Sequence, residues 1–90
     1  MGQVNFEGLT KEWKPFNEIV PEFSRSKTYQ VQNKGADVLI GLEVAETPSA
    51  KNPAGNSVVP NEVWTYEPEA DTMLYLRAFN SSCSVNITSK

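Results

Sequence analysis

Residues 62–88 read EVWTYEPEADTMLYLRAFNSSCSVNIT, and the reading of this stretch decides the fold. Apolar and polar residues alternate along it with the two-residue period of a β-strand. Trp64 and Tyr66 share one face of a first segment, with Val63 and Thr65 on the other. Pro68-Glu69-Ala70-Asp71 reads as a turn. In 72–79, Leu74, Leu76 and Ala78 fall on one face and Met73, Tyr75, Arg77 and Phe79 on the other. Both faces carry large groups, which predicts a central strand covered on both sides. Asn80-Ser81-Ser82 reads as a tight turn, and 83–88 as a strand that pairs back with Val85 and Ile87 inward. The expectation is a three-stranded meander against which the rest of the chain packs.

Upstream, residues 27–32 alternate cleanly, with Tyr29 and Val31 on one face. Residues 33–37, NKGAD, form a turn in which Asn33 and Gly35 are suited to positive φ. The next strand, VLIGLEVA over 38–45, makes the pair a predicted hairpin. Gly41 in its middle signals a bulge or a close backbone approach. ETPSAKNPAGN, residues 46–56, is a loop by composition and the expected exposed tip.

Residues 1–26 are the least regular part. Leu9, Trp13 and Phe16 have helical spacing, but Pro15 inside that window opposes a long helix. The segment reads as an extended N-terminal arm with one short strand near 16–20. Rich in Phe and carrying Trp13, it either closes its own domain's core or lies on a neighbouring subunit. The expected organisation is an arm over 1–26 and a β-sandwich over 27–90. The fold class is all-β: a small sandwich or barrel, Ig-like or jelly-roll-like, of about six to eight short antiparallel strands.

Composition bounds the function. Ninety residues with 39% apolar and 21% charged side chains make one globular domain with a thin core. The net charge is −3 and the basic residues are scattered, which argues against nucleic-acid binding. The N-terminus shows no basic-then-apolar leader and no apolar run reaches membrane-spanning length, so a soluble product without membrane contact is expected. The single cysteine, Cys83, reads as a small core-facing hydrophobe, with an intermolecular bridge or a reactive thiol as alternatives.

The chain has no histidine, no cysteine cluster and only isolated glycines. That removes the usual catalytic triads, most zinc sites and the phosphate loops. Glu43, Glu46, Glu62, Glu67, Glu69 and Asp71 read as solvated surface carboxylates, and the Glu69–Asp71 turn offers too few oxygens for calcium. No enzyme activity, metal or cofactor is expected. The residues left to carry function are large and apolar or guanidinium-bearing. Phe6, Trp13, Phe16, Trp64, Tyr66, Tyr75, Arg77 and Phe79 are candidate interface residues. Core packing and a sugar-stacking platform are the other readings of the aromatics. Arg77 would pair with Glu62 or Glu67, or reach across a subunit contact.

The order of short pieces carries a resemblance. Tyr29-Gln30-Val31-Gln32-Asn33 leads to Gly35 and then Gly41-Leu42-Glu43. After these come Ala45-Glu46-Thr47-Pro48-Ser49-Ala50, Pro60-Asn61-Glu62-Val63-Trp64, and Leu74-Tyr75-Leu76-Arg77-Ala78 with a Ser-rich terminal strand. Over 27–88 this resembles small all-β virion proteins of tailed bacteriophages. The resemblance implies a virion structural protein: a capsid decoration or cement subunit, or a head or tail accessory subunit. Its partners would be the major capsid protein or other head and tail components, and its location the virion. It also implies a homo-oligomer, with a trimer as the first option. A carbohydrate- or receptor-binding module of a fibre, using Trp64 or Tyr66, is the alternative.

Overall fold

The computed structural model describes residues 3–46, 48 and 55–89. Its strands are β1 (Gln3–Leu9), β2 (Lys14–Pro15), β3 (Tyr29–Asn33), β4 (Leu39–Val44), β5 (Asn56–Val58), β6 (Val63–Tyr66), β7 (Met73–Ala78) and β8 (Cys83–Ser89), with one helical turn, α1 (Phe16–Ile19). They form two four-stranded sheets, β1-β8-β3-β6 and β2-β7-β4-β5, with every pair antiparallel. The fold is a β-sandwich, and neither sheet closes into a barrel. Most of the loop expected over 46–56 lies outside the described residues.

The pairing has a simple logic. β1 pairs with β8, β2 with β7, β3 with β6, and β4 with β5. The chain is one long hairpin, wrapped so that successive pairs fall in opposite sheets. The β3–β8 and β4–β7 ladders then zip the wrap together. This is the strand order of a jelly roll.

Two expectations give way here. Residues 62–88 supply β6, β7 and β8, but these are not a meander: β7 lies in the sheet opposite the other two. Residues 27–45 are not a hairpin, because β3 and β4 lie in different sheets. Alternation fixes which face of a strand is apolar, not which strand lies beside it. The reading of 72–79 as a central strand holds, since β7 runs between β2 and β4.

Where the hairpin folds from one sheet to the other, specific bonds clasp it. At the passage from β3/β6 to β4/β5 sits Asn33, fully buried. Its Nδ2 donates to the carbonyls of Asp37 and Val58, both at 2.8 Å. Its Oδ1 accepts from the Gly35 N–H at 2.9 Å and from Cys83 Sγ at 3.0 Å. Its backbone N–H donates to the Glu62 carbonyl, and its carbonyl accepts from the Asn61 N–H. Neither Asn33 nor Gly35 takes the positive φ to which it is suited; the left-handed asparagine is Asn61, at φ 71°. Gly35 is small for a different reason: a Cβ there would stand 2.8 Å from the Ser84 nitrogen. At the passage from β2/β7 to β3/β6, the Arg25 guanidinium donates to the carbonyls of Glu69 and Thr72. At the passage from β1/β8 to β2/β7, the Ala78 N–H donates to the Thr10 carbonyl at 2.7 Å.

The N-terminal segment closes its own domain's core. Leu9, Phe16, Ile19 and Val20 are buried in the same cluster as Val31, Leu74 and Ile87. Fully burying four such side chains contributes about 6–12 kcal/mol, comparable to the whole stability of a small domain. Residues 16–19 form a helical turn rather than the expected short strand. Pro15, extended at φ −68° and ψ 147°, caps the turn, and the Val20 N–H closes it on the Phe16 carbonyl. The turn drops Phe16 edge-on against Tyr29 and Tyr66, both at 5.0 Å, and against Phe23 at 5.6 Å. These rings plug one end of the sandwich.

Gly41 is a close approach, as its position in the strand suggested. A Cβ there would stand 2.6 Å from Trp64 Cζ3, because the indole of the first sheet lies on the backbone of the second. Gly41→Ala should therefore destabilise the fold by about 1–3 kcal/mol through overpacking, read by urea unfolding. An unchanged midpoint would refute the contact. Asn33→Ala strands two buried carbonyls and should cost about 3 kcal/mol or more. Gln32→Ala, one residue away and outward, should stay within about 0.5 kcal/mol of the parent.

Candidate functional site

The eight sequence candidates divide sharply. Phe16 and Tyr66 are core residues, at 0% and 2% exposure. Trp64 and Phe6 are half-buried and pack against the core. Those residues carry packing. Burial, with the Glu43 charge adding to it, raises the Tyr66 hydroxyl above its ordinary pKa, so the phenol stays neutral.

Trp13, Tyr75, Arg77 and Phe79 converge elsewhere, on the outer face of the second sheet. Register places them. Leu76 pairs with Gly41 and Ala78 with Leu39, all facing the core. Tyr75 pairs with Leu42 and Arg77 with Ile40, which therefore face outward. Phe79 continues that row, its N–H bonded to the Val38 carbonyl at 2.9 Å, and is 51% exposed. Pro15, opposite Tyr75, borders the face on the β2 side. Trp13 stacks on Arg77, with the guanidinium carbon 5.0 Å from the ring centroid.

This face is apolar to a degree the first sheet's is not. Ile40 is buried yet stands apart from the core cluster, and Trp13, Leu42, Val44 and Tyr75 are half-buried without packing against it. The backbone at Gly55 lies on Ile40: a Cβ there would come within 2.7 Å of Ile40 Cγ2. The opposite outer face carries Gln3, Asn5, Gln30, Gln32, Thr65, Ser84, Asn86 and Thr88, with Val63 as its apolar exception. A one-sided layer of aromatic and aliphatic groups around an arginine is the composition of a protein contact.

Arg77 does not pair with Glu62 or Glu67. Its Nη1 donates to the Ala78 carbonyl at 3.3 Å, and its Nε is buried without a hydrogen-bond partner. The indole takes the place expected of a carboxylate, because Trp13 shares the outer face with Arg77. Lys14 pairs instead with Glu18, at 3.9 Å, in an ion pair that does not include Arg77.

A second constellation, at the end of the sandwich near Asn33, was not legible in the sequence. Asp37 Oδ2 accepts the N–H groups of Asn80 and Ser81 at 2.7 and 2.8 Å, and Oδ1 accepts that of Val38 at 2.8 Å. The 80–82 segment is thus a cross-sheet loop clamped by a carboxylate, not the tight turn of a hairpin. Residues 35–37 and 80–84 line an open concavity of about 440 Å³. Cys83, buried beneath it, behaves as the small core residue expected, and burial, with Asp37 nearby, raises its thiol pKa. A neutral thiol without a base is a poor nucleophile. Among the described residues, no three His, Cys, Asp or Glu side chains converge as a metal site.

No family model, curated protein or solved structure matches the chain. Among the described residues, no helix is long and apolar enough to cross a membrane.

The Asp37 carboxylate gives a signed prediction. Burial would raise its pKa, but the N–H groups of Ser81, Asn80, Val38 and Phe79 together hold it below the ordinary value. A lowered folded-state pKa contributes stability above the unfolded value, about pH 4, that is lost as pH falls through the folded one. Asp37→Asn should cost up to about 1 kcal/mol at neutral pH, because solvent screens an accessible carboxylate. Its deficit against the parent should shrink on acidification below about pH 4. A deficit independent of pH in chemical unfolding would refute the clamp.

Proposed function

We propose that this chain is a non-catalytic structural subunit of a tailed-bacteriophage virion, most simply a capsid decoration or cement protein. It would seat the outer face of its second sheet on another virion protein. The observation that carries the protein-contact part is the one-sided apolar layer of Trp13, Leu42, Val44 and Tyr75 around Arg77. The virion setting rests on the sequence resemblance over 27–88, and the jelly-roll strand order is in keeping with it. That architecture recurs in viral capsid and lectin domains, although a fold alone does not fix a function. The fibre-module alternative loses its proposed platform, because Trp64 lies on Gly41 and Tyr66 is in the core.

The test is co-sedimentation with purified particles. Parent protein should band with capsids and raise their melting temperature. Leu42→Glu places a charge in the middle of the contact face. It should lower capsid affinity by about tenfold or more, roughly 1.4 kcal/mol, while the isolated domain keeps its fold by circular dichroism. Thr65→Glu, on the polar sheet, should bind like the parent. Absence of the parent protein from particles would refute the virion reading, and equal binding by Leu42→Glu would refute the face.

A further inference from the structure

The sandwich has four strand edges, and they are not alike. β2 is two residues long and contains Pro15, which has no N–H to offer. β5 spans three residues. β6 spans four and is bracketed in sequence by Pro60 and Pro68. Short edges and flanking prolines are the usual protections against strand addition. β1 has neither. It spans seven residues, Gln3–Leu9, without proline or lysine, and its one charge is Glu7. Its β8 ladder runs in unbroken register from Gln3 to Phe6 before the irregularity at Gly8. Alternate N–H and C=O groups of such a strand point away from its partner. Among the described residues, no backbone bond from 3–8 reaches any strand but β8.

The side chains at this edge are left half-paired in a particular way. Gln32, Asn86 and Asn5 form one lateral row across β3, β8 and β1. The Asn86 amide donates to Asn5 Oδ1, and Gln3 Nε2 donates to Asn86 Oδ1 at 3.2 Å. The ladder of amides stops at Asn5, which is exposed and whose hydrogen bond to Asn86 uses only its Oδ1, leaving its Nδ2 donors and one Oδ1 lone pair for a further partner.

We infer that β1 is an assembly edge whose partner is β1 of a second copy of this chain, paired antiparallel about a two-fold axis at Asn5. Parity requires the axis to sit on a residue, because paired residues share a face and Val4 and Phe6 face inward. Centring at Asn5 uses the stretch 3–7 fully and sets Gln3 opposite Glu7 of the other copy, so no like charges meet. Val4 then opposes Phe6, adding apolar cover at the edge of each core. The two Asn5 amides exchange hydrogen bonds, Nδ2 to Oδ1 in both directions, and the row of amides runs unbroken through both copies. The product is a continuous eight-stranded sheet with a polar outer face. An isologous pair of this kind closes at two subunits, which sets it apart from the trimer that the resemblance implied. It leaves the outer face of the second sheet free, so it stands whether or not that face meets a capsid.

The experiment is sedimentation equilibrium on the full chain across a wide concentration range. The parent should fit a monomer–dimer equilibrium. Asn5→Lys and Asn5→Asp each place like charges across the axis, and each alone should sediment as monomer. Mixed in equal amounts, they should recover the dimer mass, which neither misfolding nor a contact elsewhere would produce. A parent that stays monomeric, a parent trimer, single variants that remain dimeric, or a mixture that fails to pair would each overturn the inference.

Discussion

Everything in this domain hangs on how a long antiparallel hairpin is bent over on itself, and the Asn33 side chain holds the tightest bend. At that point the β3/β6 pair must leave one sheet and the β4/β5 pair enter the other. Two crossing backbones come close in the interior, where each carbonyl and N–H needs a partner. One buried carboxamide answers three of them, from Asp37, Val58 and Gly35, and accepts from the Cys83 thiol as well. An apolar residue there would leave carbonyls unpaired, and a carboxylate would bring acceptors where donors are needed. Asp37 extends the clasp to the neighbouring crossing by taking the Asn80 and Ser81 N–H groups. At the other end the aromatic plug of Phe16, Phe23, Tyr29 and Tyr66 does the same task by packing.

From residue 27 onward strand existence was legible because period-two alternation is written residue by residue, whereas β1 and β2 lie in the segment read as an extended arm. The buried residues of β7, Leu74, Leu76 and Ala78, are the ones that alternation placed on one face. Strand partnership was not legible. A loop such as 33–38 has the same Gly, Asn and Asp content whether it turns a hairpin or crosses between sheets. The deciding facts are long-range: Asn33 contacting Val58 and Cys83, and Arg25 reaching Thr72. The candidate site was half legible for a similar reason. Trp64 and Tyr66 share parity, as Tyr75 and Arg77 do, but parity does not say which side is in. Gly41 held the missing clue, since a strand glycine makes room for a large ring on the facing sheet. Leu42 and Val44 went unremarked because aliphatic residues in a strand read as core by default.

The two outer faces divide the work. Amides and hydroxyls on the first sheet pair laterally with one another, as Gln3, Asn5 and Asn86 do, and remain compatible with water. The second sheet presents rings and aliphatic groups that do not reach the core, with a guanidinium whose Nε lacks a partner. Desolvating that arginine in a contact costs less than desolvating a hydrated lysine would, because Trp13 already covers one face of it.

The N-terminal segment ties these features into one system. The same short run supplies β1, then Trp13 and Pro15 at the outer face of the second sheet, then Phe16 in the aromatic plug. A ligand bound at either surface would therefore recognise only the folded chain. Binding at about a hundred times the dissociation constant adds roughly 2.7 kcal/mol to folding stability. For a domain of this size that is a large fraction of what its core provides. Were the chain to assemble through either surface, that linkage would add to a thin core, since ninety residues leave a small margin of stability.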